Sequence, residues 1–230
     1  MRRANRSQSA FVEGQRLYRT EDYRAARERL SETVVLEPGY DEARALLAWA
    51  EYFDGDYSSA TITFKTGLRR QPSWEGLYDG LGWSRLRLGY LRLAREAFRA
   101  ALAIAPEYVD ALIGLGFAEY ELKRYAEALS PLTTALRQMR PLVGDEPPQA
   151  SRVRAKIAWS LYHLGRYQDA LVAFQTGAQA QRDAHVFHAG MGWCYLRLQR
   201  LGDARVAFAR ALALEPNDGD ALDGLRLTSR

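Results

Sequence analysis

The chain has 230 residues, 47% hydrophobic and 26% charged, with a formal net charge of +4. No apolar run approaches the ~18 residues that a membrane helix needs, and a single cysteine, Cys194, leaves no internal disulfide. The basic residues are scattered and nearly all arginine, only Lys65, Lys123 and Lys156 being lysine, which predicts a solvated surface with a mild bias toward acidic partners rather than a nucleic-acid face. The richness in Arg and Ala suggests a GC-rich bacterial genome. The N-terminus, MRRANRSQSAFVEG, lacks the apolar region of a signal peptide, so the expected compartment is the cytoplasm. A periplasmic domain already trimmed of its signal would read the same.

In chain order, residues 1–6 read as a disordered basic tail. Six units of two helices each follow, at 7–40, 41–74, 75–108, 109–142, 151–184 and 185–218. The third unit shows why. Tyr78, Leu81 and Gly82 make one helical face, Gly89 stops that helix, and Leu91, Ala94, Phe98, Ala101 and Leu102 restart the period until Pro106 closes it. The fourth unit carries Pro131 early in its second helix, where a kink costs least. Residues 143–150 contain Gly144 and Pro147-Pro148 and read as an inserted surface loop that either is merely tolerated, alters the angle between its neighbours or touches a partner. Residues 219–230 repeat the opening of a seventh unit and read as a capping helix, or as the cut edge of a longer array.

The units share a register. Gly14, Ala48, Gly82 and Gly116 lie 34 residues apart, as do Ala26, Ala60, Ala94 and Ala128, and Pro38, Pro72 and Pro106. This period, with a small residue where helices cross, an alanine, an aromatic or leucine and a closing proline, resembles the tetratricopeptide repeat family. The resemblance covers residues 7–230 and implies an all-α, right-handed superhelical solenoid of antiparallel helical hairpins.

Each unit can be numbered from 1, so that Glu75 is position 1 of the third. Positions 2, 5, 9, 12 and 13 of the first helix then point away from the unit's own core stripe. The resemblance implies that this face lines a concave groove where peptides bind. Position 9 reads Gln15, Trp49, Trp83, Phe117, Trp159 and Trp193; position 12 includes Tyr18, Tyr52, Tyr120 and Tyr162; position 13 includes Arg87 and Arg197. The position-9 rings either stand half exposed in the groove or pack on the next unit's first helix. The Lys and Asn of the family's carboxylate clamp are missing, so the expected ligand is a partner peptide or helix with apolar anchors and acidic flanks meeting Arg19, Arg87, Arg152 and Arg197. The expected function is a non-enzymatic protein-binding scaffold within a multiprotein assembly. Two alternatives stand beside it: stacking of single-stranded nucleic acid on the same aromatics, and homo-oligomerisation by docking one copy's end into another's groove.

Catalytic chemistry is not expected. The sequence holds no Gly-rich phosphate loop, no Cys pair and no metal-type Cys/His spacing, so no cofactor-binding or metal-binding residues are assigned. His185 and His188 lie three apart but read as satisfied structural histidines, and Ser160 with His163 lacks a third member.

Overall fold

The computed structural model describes residues 2–139, 148–181 and 184–228. Among these the chain is helical throughout, in thirteen helices. They pair as hairpins: α1 (Arg2–Arg19) with α2 (Tyr23–Leu36), α3 (Asp41–Phe53) with α4 (Tyr57–Arg70), and α5 (Glu75–Arg87) with α6 (Leu91–Ile104). Then come α7 (Val109–Glu121) and α8 (Tyr125–Gln138), α9 (Pro148–His163) and α10 (Tyr167–Ala180), α11 (His185–Arg197) and α12 (Leu201–Leu214), and finally α13 (Gly219–Thr228). The helices form two compact units, Met1–Ala118 and Glu119–Arg230, with the boundary near the end of α7.

Inside each unit the core is built from one repeated device. The phenylalanine at position 24 of a hairpin, Phe64, Phe98, Phe174 or Phe208, is fully buried. Its ring lies where the following hairpin, or α13, can have no side chain. A Cβ placed on Gly80 would come within 2.1 Å of Phe64, on Gly114 within 2.2 Å of Phe98, on Gly190 within 2.3 Å of Phe174, and on Gly224 within 2.2 Å of Phe208. Gly82 and Gly192 make room for Phe98 and Phe208 from their own hairpins in the same way. Where position 24 is the shorter Leu30 or Leu132, the partner position holds Leu46 or Lys156. A phenylalanine thus demands a glycine sixteen residues on, because a packed interior has no spare volume for both ring and Cβ.

The turn inside each hairpin is equally uniform. Position 15 takes a left-handed backbone in all six, with φ of 88° at Gly55, 78° at Gly89 and 75° at Gly165. Glu21, Lys123 and Gln199 occupy the same place at φ of 60–62°, where a side chain is disfavoured. Asp22 and Asp56 then cap α2 and α4 by accepting the N–H of Ala25 at 3.1 Å and of Ser59 at 3.0 Å.

Three expectations are corrected or refined. Of the tail expected at 1–6, residues 2–6 form the first turn of α1. Its polar composition is overridden by packing on α2, where Ser7, Ala10 and Phe11 are buried, Arg6 pairs with Glu32 at 2.6 Å and Arg3 donates to the Val35 carbonyl at 3.4 Å. Most of the loop expected at 143–150 lies outside the described residues, but Pro148–Ala150 already belong to α9. Pro148 takes the first helical position, where its missing N–H costs nothing. Helix α8 runs through Pro131 without interruption. At the C-terminal end α13 buries Ala221, Gly224 and Thr228 against the last hairpin, and Arg205 Nε donates to the Thr228 carbonyl at 2.7 Å.

Candidate functional site

The position-9 tryptophans rest on their own hairpins. Each indole meets the position-24 phenylalanine edge-on: Trp49 on Phe64 at 5.2 Å between ring centres, Trp83 on Phe98 at 5.4 Å, Trp159 on Phe174 at 5.1 Å and Trp193 on Phe208 at 5.6 Å. All four remain half-buried, so each has one face in the core and part of its rim outside. Phe117, expected among the exposed anchors, is 7% exposed and packs edge-on to Trp83 at 6.1 Å. It belongs to the core.

Two of these tryptophans stand in larger aromatic pads. In the Met1–Ala118 unit, Trp49 lies nearly parallel to Phe53 (5.9 Å, 26°), and Phe53 stacks on Tyr23 (5.0 Å, 25°). Tyr18 and Tyr52 close the sides edge-on, and Tyr52 leads on to Tyr57 at 5.4 Å. Arg87 then lies over Tyr57 at 5.1 Å and donates twice to its hydroxyl, from Nε at 3.1 Å and Nη2 at 2.8 Å. Phe53 at the centre is 48% exposed.

The Glu119–Arg230 unit repeats this arrangement. Trp159 tilts on His163 (6.2 Å, 35°), and His163 stacks on Tyr125 (4.4 Å, 15°). Tyr120 and Tyr162 close the sides, Tyr162 leads to Tyr167 at 5.3 Å, and Arg197 lies over Tyr167 at 5.0 Å. Lys156 sits 3.8 Å above the Tyr120 ring while pairing with Glu121 at 2.8 Å. One rule builds both pads: the position-13 side chain of a hairpin lies on the position-17 ring of the hairpin before it.

Burial pushes the phenols of Tyr18 and Tyr120 up to about 12, so both stay protonated and can donate. His163 is held below the ordinary imidazole value, first by burial and then by the positive charges of Lys123 and Lys156. A separate polar feature, the buried carboxyl of Asp79, lies beside Trp83. Asp79 is 1% exposed, and burial with the neighbouring charge of Asp110 drives its carboxyl up to about 8.

The structure therefore brings Tyr18, Trp49 and Tyr52 together with Arg87, and Tyr120, Trp159 and Tyr162 together with Arg197. Trp83 and Trp193 lie outside these ring clusters. Tyr23, Tyr57, Tyr125 and Tyr167, which the first-helix wheel could not include, complete the pads from the second helices. Their signal was a tyrosine five residues after the position-12 tyrosine. His185 Nδ1 is 2.7 Å from Asp218 Oδ2, and Asp218 also caps α13. Cys194 is buried, its thiol pushed up to about 12 by that burial. Among the described residues no group of three His, Cys, Asp or Glu side chains could hold a metal ion, and no helix is long and apolar enough to cross a membrane.

Four models of one family, described as tetratricopeptide repeat, match residues 11–73, 76–108, 108–183 and 161–226. The chain belongs to the tetratricopeptide repeat family. Over 200 residues it is 24% identical to the anaphase-promoting complex subunit CDC16 of Saccharomyces cerevisiae, a match covering 85% of this chain and 23% of that protein. The solved structure of the APC/C hetero-tetramer Cut9–Hcn1 superposes with a TM-score of 0.76 at 20% identity, over 98% of this chain and 43% of that one. The tetratricopeptide protein YrrB, described as having an unusual peptide-binding site, gives 0.72 at 17% identity over 86% and 97%. Pseudomonas aeruginosa pilF gives 0.74 at 15% identity over 97% and 98%. At these identities the structural likeness shows the fold.

Proposed function

We propose that this tetratricopeptide protein is a non-enzymatic scaffold that holds a segment of a partner protein on its aromatic pads. The observation that carries the proposal is Phe53, a large apolar ring left 48% exposed inside a ring network whose other members anchor it to the core. Exposed aromatics held rigid by packing lose little entropy on binding, which is why such residues dominate interface energetics. Arg87 and Arg197 border the pads and favour a segment whose apolar anchors are flanked by carboxylates. Family membership supports an interaction scaffold in general, and the relatives add a subunit of a multiprotein complex and a protein described by its peptide-binding site.

The test is selection of a displayed library of random short peptides on the immobilised chain, run beside a Trp49→Ala, Trp159→Ala double variant whose helicity is checked by circular dichroism. The wild type should enrich peptides with aromatic or aliphatic anchors and acidic flanks, and the folded double variant should not. Equal enrichment on both would place binding elsewhere.

A further inference from the structure

The two pads are too alike to be independent accidents of a repeat. At an offset of 110 residues Trp49 becomes Trp159, Tyr52 becomes Tyr162, Tyr57 becomes Tyr167 and Arg87 becomes Arg197. The surrounding sequence follows: AWAEYFDGDY at 48–57 against AWSLYHLGRY at 158–167, and GLGWSRLRLGYLRLAREAF at 80–98 against GMGWCYLRLQRLGDARVAF at 190–208. The third hairpin differs more from its neighbour the fourth than from the sixth. The third hairpin's GWSRLRLGYLRLAREAF faces GFAEYELKRYAEALSPL in the fourth, with neither the tryptophan nor the position-13 arginine kept. The pad residues thus recur at an interval of three hairpins, laid over the shorter period of one.

The geometry is copied as closely as the letters. Tyr52 and Tyr57 are 5.4 Å apart at 60°, and Tyr162 and Tyr167 are 5.3 Å apart at 63°. Tyr18 meets Tyr23 at 5.5 Å and 74°, and Tyr120 meets Tyr125 at 5.3 Å and 70°. Arg87 and Arg197 stand 5.1 and 5.0 Å from their tyrosine rings. Only the central ring differs, Phe53 against His163, and both are flat, partly exposed and stacked on a tyrosine. Core packing alone would account for the position-24 phenylalanines and their glycines, which also occur in the third and sixth hairpins. It does not require rings that stay outside or an arginine poised over each of them.

We infer that the chain carries two copies of one binding site, so that it takes two like segments, each an apolar anchor with an acidic flank, one on each pad. The acidic flank follows from charge. Each pad is bordered by its own arginine, Arg87 or Arg197, and the second also has Lys123 beside it, while Lys156 there is paired with Glu121. A partner presenting the same motif twice, or two copies of one partner, would gain from both sites through effective concentration.

This inference rests on the proposed function. It is tested with a peptide enriched by the library selection, titrated into the full chain by isothermal calorimetry. The expected result is two peptides per chain, with dissociation constants within about tenfold of each other because six of the seven paired groups match in kind. Trp49→Ala and Trp159→Ala should each leave one peptide per chain. Because loss of a half-buried indole could unfold a hairpin, Arg87→Glu and Arg197→Glu serve as surface variants; each should weaken one of the two binding events and leave the other unchanged. One peptide per chain in the wild type, or any one of these folded variants affecting both events, would overturn the duplication while leaving the scaffold reading intact. Failure to enrich any peptide would overturn both.

Discussion

The Met1–Ala118 and Glu119–Arg230 units carry matching aromatic pads, and their differences show which features the fold requires and which it tolerates. In both, a buried position-24 phenylalanine is answered by a glycine sixteen residues later. Leu30 in the first unit and Leu132 in the second release that demand, and beside Leu132 a lysine, Lys156, stands in the glycine's place and reaches over Tyr120. The third hairpin carries Asp79 at position 5 where the sixth carries Ala189. It turns on Gly89 where the sixth turns on Gln199. One pad centres on Phe53 and the other on His163. The volume rule is strict within hairpins that carry it, whereas charge and titratable groups are placed freely around a constant aromatic frame.

The largest effect should come from breaking the volume rule. Gly114→Ala forces a methyl against the Phe98 ring and should cost about 3 kcal/mol in chemical denaturation, whereas Lys156→Ala beside Leu132 should cost under about 1 kcal/mol. Adding Phe98→Leu to Gly114→Ala should cost less than the sum of the two single changes, because each change relieves the other. Strict additivity would mean that ring and glycine are not coupled.

Asp79 sharpens the comparison through pH. Its carboxyl ordinarily titrates near 3.8 but is raised to about 8 in the fold, so across that window the folded chain holds a proton that the unfolded chain has released. Stability is therefore full below the lower value and falls as pH rises through the upper one. Asp79→Asn should flatten this decline and stabilise the protein by about 2 kcal/mol near pH 9, with little effect near pH 4. An unchanged pH profile in thermal melts would contradict the assignment.

Smaller changes should follow at the turns and at the central rings. Gln199→Gly should stabilise by about 0.5–1 kcal/mol by removing a Cβ from a left-handed residue, making the sixth turn like the third. At the second pad the imidazole of His163 is held below its ordinary 6.5. On acidification the unfolded chain takes up that proton first, so stability is full above 6.5 and declines as pH drops below it. His163→Phe should remove this small decline, and Phe53→His should leave the first pad without one of equal size, since its neighbours include no lysine equivalent to Lys123 or Lys156. Melts at several pH values below 7 would register both.

Much of the fold was legible in the sequence because the repeat signal is carried by residues whose neighbours lie in the same hairpin: Gly82 against Phe98, Ala94, and Pro106 at the helix end. The pairing of Phe98 with Gly114 was equally present, as a glycine sixteen residues beyond a phenylalanine, but it becomes visible only when one hairpin is laid against the next. The candidate site was half legible for the same reason. A wheel drawn on the first helix finds Trp49, Tyr52 and Arg87 but cannot find Tyr23 or Tyr57, which reach the pad from the second helices α2 and α4. Phe117 shares position 9 with the tryptophans, but its ring turns inward against Trp83, so position alone does not separate it from them. The helical start at Arg2 escaped because composition describes a free segment, and here α2 supplies the partner for Arg6 and the surface that buries Ser7.

The most direct test of the account follows the indole N–H resonances of the five tryptophans in a nitrogen-15 labelled chain while a library-selected peptide is added. The account predicts that the Trp49 and Trp159 signals shift together over the same concentration range, and that Trp74, which lies outside both pads and packs on the core beside Leu77, stays in place. Shifts confined to one of the two pads would contradict the duplicated site, and shifts at Trp74 or Trp193 with both pads silent would contradict the pads as the binding surface.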